Sequence, residues 1–104
     1  MATGILGQAA PAAATNTTVY TVPAATTAVA TISVVNRGST PAAVNVAIAG
    51  TGTPAVSEYI EFQTVIDVNG VLERAGVVAN AGERFVVYST TANTSVTIYG
   101  YEEV

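Results

Sequence analysis

The chain has 104 residues, 50% of them hydrophobic, with three basic side chains, seven acidic ones and a formal net charge of -4. The cations are Arg37, Arg74 and Arg84, and Lys, His, Cys and Trp do not occur. The acidic balance disfavours nucleic acid and membrane surfaces as partners, and the missing His, Cys and Lys leave only carboxylates, Tyr, Ser and Thr for acid-base or nucleophilic chemistry.

A chain of this length is expected to fold as one domain that buries about 65% of its unfolded surface, with no disulfide or metal required. Residues 1–18 are rich in Ala, Pro and Thr, and their bulky apolar anchors are Ile5 and Leu6. Such a segment cannot offset its own ordering entropy, so it reads as an extended N-terminal arm ordered by a neighbour. No Lys or Arg precedes Arg37, and Gln8 and Pro11 interrupt the apolar run, so it is not expected to be a cleaved leader. No window approaches the about 20 apolar residues of a membrane span.

From residue 19 onward the expectation is a single β-sandwich or jelly-roll-like domain of seven or eight mostly antiparallel strands, because Thr and Val abound and turn residues recur every ~10 positions. The first strand covers 17–22 and is closed by Pro23. The second covers 28–36, with Ala28, Ala30, Ile32 and Val34 on one face. A turn at Arg37-Gly38-Ser39-Thr40-Pro41 leads to a strand at 43–49 that sets Val44, Val46 and Ile48 on one side. After a Gly/Thr/Pro loop, a long strand over 58–68 places Ile60, Phe62 and Ile66 together. Asn69-Gly70 is the strongest hairpin signal, and a two-residue turn there pairs Val68 with Val71 and Asp67 with Leu72. That register sets Arg74 diagonal to Asp67 as a surface ion pair. Strands at 84–89 and 95–101 complete the set.

Chemistry is hard to find in this inventory. Glu58 and Glu61 have odd spacing on a strand and so point to opposite faces, as do Glu102 and Glu103, which is wrong for a paired-carboxylate site. Asp67-Val68-Asn69-Gly70 begins like a calcium loop, but position 78 is Val78 where a carboxylate is required. The expectation is therefore a non-enzymatic protein without metal or cofactor. Tyr supplies five of the seven aromatics, and Tyr99 and Tyr101 share a strand face opposite Ile98. Tyr suits subunit interfaces and sugar platforms alike. The low charge of the remaining strand faces, and the edge strands it leaves unguarded, point to permanent neighbours.

Five segments carry a resemblance: Leu6-Gly7-Gln8, Val19-Tyr20-Thr21-Val22-Pro23, Val34-Val35-Asn36-Arg37, Ala81-Gly82-Glu83-Arg84-Phe85 and Tyr99-Gly100-Tyr101-Glu102. In these the chain resembles the small all-β structural proteins of tailed-bacteriophage virions, among them capsid decoration or cement proteins and tail-associated domains. The resemblance implies a virion component, assembled in the host cytoplasm, that binds the major capsid protein or other virion subunits, with strand addition and arm exchange as contact modes. A homo-oligomer fits the same composition. The partner-binding residues expected are Ile5, Leu6, Arg37, Arg74, Arg84, Tyr99 and Tyr101. A tail, baseplate or fibre-attachment component is the alternative, followed by a carbohydrate-binding or adhesion module built on Tyr99 and Tyr101.

Overall fold

In the computed structural model, which describes residues 2–104, the chain forms eight strands and one short 3-10 turn. The strands are β1 (Thr3–Ala9), β2 (Thr17–Thr21), β3 (Thr27–Asn36), β4 (Ala42–Ala49), β5 (Tyr59–Ile66), β6 (Val71–Ala79), β7 (Arg84–Ser89) and β8 (Thr94–Glu103). They make two four-stranded antiparallel sheets, the first in the order β1-β8-β3-β6 and the second in the order β2-β7-β4-β5. Every connection except β4 to β5 passes from one sheet to the other, and this strand order is that of a jelly roll.

Period-two alternation builds the core. Ala28, Ala30, Ile32 and Val34 of β3 are buried, as are Val44 and Val46 of β4, Phe85 and Val87 of β7, and Val96 and Ile98 of β8. The inner faces interdigitate around Phe85, whose ring packs on that of Tyr20 with centroids 5.6 Å apart. Fully burying one such side chain contributes about 2 to 3 kcal/mol, so the alternation, rather than any single contact, holds the sheets together.

Three expectations need correction. The Asn69-Gly70 turn does not close a hairpin, because β5 lies in the second sheet and β6 in the first. The turn is tight, with the Gly70 amide donating to the Asp67 carbonyl at 2.8 Å and Asn69 at a φ of 62°, but it lifts the chain across the sandwich. Leu72 and Val71 pair with Val34 and Val35 of β3, not with Asp67 and Val68. Arg74 consequently meets Glu61, at 2.7 Å, instead of Asp67. Finally, Phe62 leaves the inner face. Phe62 and Gln63 form a bulge opposite Asn45, Gln63 adopts a left-handed φ of 53°, and the ring ends 58% exposed against the edge of Tyr59.

A detached N-terminal arm is not confirmed. Thr3–Ala9 pairs with β8 as the edge strand of the first sheet, and Leu6 packs against the core. Gly7 explains how: a Cβ there would overlap the Val19 carbonyl oxygen, so only glycine lets β1 pass this close to β2.

The same margin of the sandwich carries a clamp between the sheets. The Tyr20 hydroxyl of β2 donates to the Glu102 carboxylate of β8, which also accepts the Ala2 amide at 3.0 Å. The bond to Tyr20, then that to Ala2, holds the Glu102 carboxyl below the ordinary carboxylate range, while burial first and Glu102 second push the Tyr20 hydroxyl well above the ordinary phenol range. A lowered carboxyl pKa contributes stability above its unfolded value and loses it as pH falls through its folded value. A raised phenol pKa contributes stability below its unfolded value and loses it as pH rises toward its folded value. Tyr20→Phe should therefore lower the melting temperature most between about pH 5 and pH 9, and least outside that window. Thermal scans across pH test this, and a Tyr20→Phe deficit independent of pH would show that the clamp does not form.

Candidate functional site

The outer face of the first sheet gathers three of the residues expected to bind a partner. Ile5 of β1 sits directly opposite Tyr99 of β8, and Thr31 of β3 continues that row. The neighbouring row runs Thr3, Tyr101, Val29 and Val78 across β1, β8, β3 and β6. Ile5 is 61% exposed, Val78 62%, Tyr101 42% and Tyr99 37%, so the patch stands open at its centre. Its margin is acidic: the Tyr99 hydroxyl donates to Glu73 at 3.2 Å, and Glu103 is exposed at the end of β8. Partial burial of the ring, followed by the charge of Glu73, raises the Tyr99 pKa.

The remaining expected residues lie elsewhere. Leu6 turns inward on the core. Arg37 is at the far end of the same face, where its Nε donates to Ser95 Oγ at 2.7 Å. Arg74 bridges the margin between β6 and β5 through Glu61. Arg84 is half-buried, and its buried Nε has no hydrogen-bond partner among the described residues. The three cations thus form no common patch, and two of them are engaged within the chain.

The carboxylates are also employed structurally. Glu58 accepts the amides of Ala55 at 2.7 Å and Gly50 at 3.1 Å, pinning the loop between β4 and β5. Glu61 takes both Thr64 and Arg74, and Glu83 accepts the Asn80 amide. Among the described residues no group of three potential ligands gathers to hold a metal ion, and no helix is long and apolar enough to cross a membrane.

Two members of the patch were not anticipated, Val29 and Val78. Val29 was legible as the odd-numbered partner of the buried Ala28 and Ala30, because on a strand the residue beside a core position faces out. Val78 was not, because it depends on β6 joining β3. Comparison with protein-family models, curated proteins and solved structures finds no match.

Proposed function

We propose that this protein is a non-enzymatic structural subunit of a virion, a capsid decoration or cement protein that seats the outer face of its first sheet on the major capsid shell. The observation that carries this reading is the open patch of two neighbouring rows, Ile5 and Tyr99 in one and Tyr101, Val29 and Val78 in the other, an apolar centre with a carboxylate margin. Tyrosine is enriched among the anchors of protein interfaces, the aliphatic neighbours extend its apolar centre, and the acidic margin selects a partner whose own margin is basic. The jelly-roll order adds an analogy at the level of fold, since that architecture recurs in viral capsid and lectin domains.

The edges argue for contact through the face. Each of β1, β2, β5 and β6 carries a register shift in its ladder, and such bulges discourage the addition of a further strand. Strand addition, a contact mode that the resemblance implies, is thus the less favoured one.

The test is binding to undecorated shells by Tyr101→Asp and by the pair Ile5→Asp with Tyr99→Asp, with folding checked by circular dichroism. Attachment should fall by about a hundredfold for the pair, because buried carboxylates at an interface centre cost several kcal/mol. Unchanged occupancy for both would remove this face from the contact. Finding the protein in isolated tails and absent from heads would overturn the shell assignment in favour of a tail component.

A further inference from the structure

On the opposite side of the molecule the second sheet carries a hollow of about 410 Å³, lined by Ala43, Asn45, Gln63, Val65, Tyr88 and Thr90. Its shape follows from cross-strand pairing. Tyr88 of β7 sits opposite Asn45 of β4, and Ala43 of β4 sits opposite Val65 of β5. Short side chains on the central strand therefore lie between taller ones on its two neighbours, and the face dips along β4.

The bulge at Phe62 and Gln63 completes the wall. Gln63 is held in its left-handed conformation by its amide, which donates to Asn45 Oδ1 at 2.7 Å. A non-glycine residue at such a φ costs about 1 kcal/mol or more and persists where the surroundings enforce it, often beside a binding site. Asn45 has its Oδ1 committed, and its Nδ2 makes no hydrogen bond to other described residues. The Gln63 carboxamide and the Tyr88 hydroxyl likewise make no hydrogen bond to other described residues, whereas Thr90 Oγ1 accepts the Ala43 amide at 3.1 Å.

These walls present amide donors, amide and hydroxyl acceptors, one aromatic ring and the aliphatic side chains of Ala43 and Val65. No charged side chain lines them. A charged ligand would lose its hydration here without gaining a counter-charge, and a purely apolar one would leave the amides unpaired. An uncharged polyhydroxylated ligand matches both requirements, because its hydroxyls pair with amides while its C–H face lies on an aromatic ring. We infer that this hollow is a binding site for a neutral oligosaccharide, distinct from the Tyr99 face and independent of the shell-binding proposal.

The experiment is an NMR titration of the full chain with maltohexaose, cellohexaose, chitohexaose and mannohexaose, each to millimolar concentration, with polygalacturonate as the charged comparison. At least one neutral hexaose should give saturable amide shifts centred on residues 43, 45, 63, 65, 88 and 90. Ala43→Phe, which fills the floor from the solvent side, and Tyr88→Ala, which removes the aromatic face, should each weaken that binding by at least about tenfold. Two variants are used so that a folding defect in one leaves the other decisive. Absence of saturable shifts from all four sugars would overturn the assignment, as would shifts confined to the Tyr99 face, tighter binding of polygalacturonate, or binding that survives both substitutions.

Discussion

Gly100→Ala is expected to destabilise the fold by about 4 kcal/mol or more, a large part of the 5 to 15 kcal/mol that holds a domain of this size. Gly100 lies on β8 with Ala30 of β3 on one side and Gly4 of β1 on the other, so both of its edges are occupied by backbone. A Cβ at this position would overlap the Val29 carbonyl oxygen and stand 2.8 Å from the Ala30 Cα. Neither is the movable end of a side chain, and the φ of 155° adds strain of its own for any L residue. The β3–β8 ladder would have to part where it positions Tyr99 and Tyr101, and shell attachment should fall with stability. Gly76→Ala and Gly50→Ala supply the scale. Gly76 has a φ of 73° but nothing within 4 Å of its would-be Cβ, so its cost should be about 1 kcal/mol, and Gly50 has neither constraint and should be near neutral. Urea denaturation of the three variants decides the matter. A Gly100→Ala midpoint close to that of Gly50→Ala would mean that the two strands do not approach as described.

What the sequence disclosed and what it withheld divide along a physical line. Alternation of apolar and polar residues is a local property, and it located β3, β4, β7 and β8 within a residue or two, together with the buried sets Ala28 to Val34 and Val96 to Ile98. Pairing is not local. Asn69-Gly70 announced a reversal, and the chain does turn there, but a turn signal cannot say whether the next strand lies beside its predecessor or across the sandwich. That one ambiguity misassigned the partners of Leu72 and Arg74 and hid Val78 from the exposed face. Bulges were equally invisible, since nothing in Glu61-Phe62-Gln63-Thr64 marks a left-handed Gln63, and with it went the hollow on the second sheet. The Thr3–Ala9 strand was missed because its own composition is weak. Its order comes from the free ladder of β8 and from the space left by Gly7.

The same distinction bears on function. A chain with so few charges is expected to need neighbours to guard its edges; each edge strand carries a register shift, and part of the exposed apolar surface lies on the outer face of the first sheet. Partner contact through a face has a further requirement: the two sheets must be held in a fixed relation, so that both outer surfaces keep their shape. That relation is set where the chain crosses between sheets.

The crossing from β5 to β6 is secured by one buried side chain, and its loss should be the second most damaging change. Asn36 ends β3 with no exposed surface, and its Nδ2 donates to the Thr40 carbonyl at 2.9 Å and the Ile66 carbonyl at 3.0 Å, with the Asp67 carbonyl at 3.3 Å. Its Oδ1 accepts the Gly38 amide at 2.9 Å, and its own amide donates to the Gly70 carbonyl at 3.0 Å. Asn36→Ala takes the donor from three carbonyls, of which that of Ile66 is bonded in the interior, and the acceptor from the Gly38 amide, for a cost of about 3 kcal/mol. Asn36→Asp separates this account from simple loss of volume. It keeps the shape and the acceptor for Gly38 but sets a carboxylate oxygen against the Thr40 and Ile66 carbonyls, which favours the protonated acid in the folded state. A carboxyl whose folded pKa is raised contributes stability below its unfolded value and loses it as pH rises through the folded value. Asn36→Asp should therefore be least damaging below about pH 4 and most damaging at neutral pH, whereas the deficit of Asn36→Ala should not follow that course. Denaturation of both variants across pH measures the difference. Parallel curves would mean that Asn36 fills space at the crossing without bonding it, and the fixed relation of the two outer faces would have to be sought elsewhere.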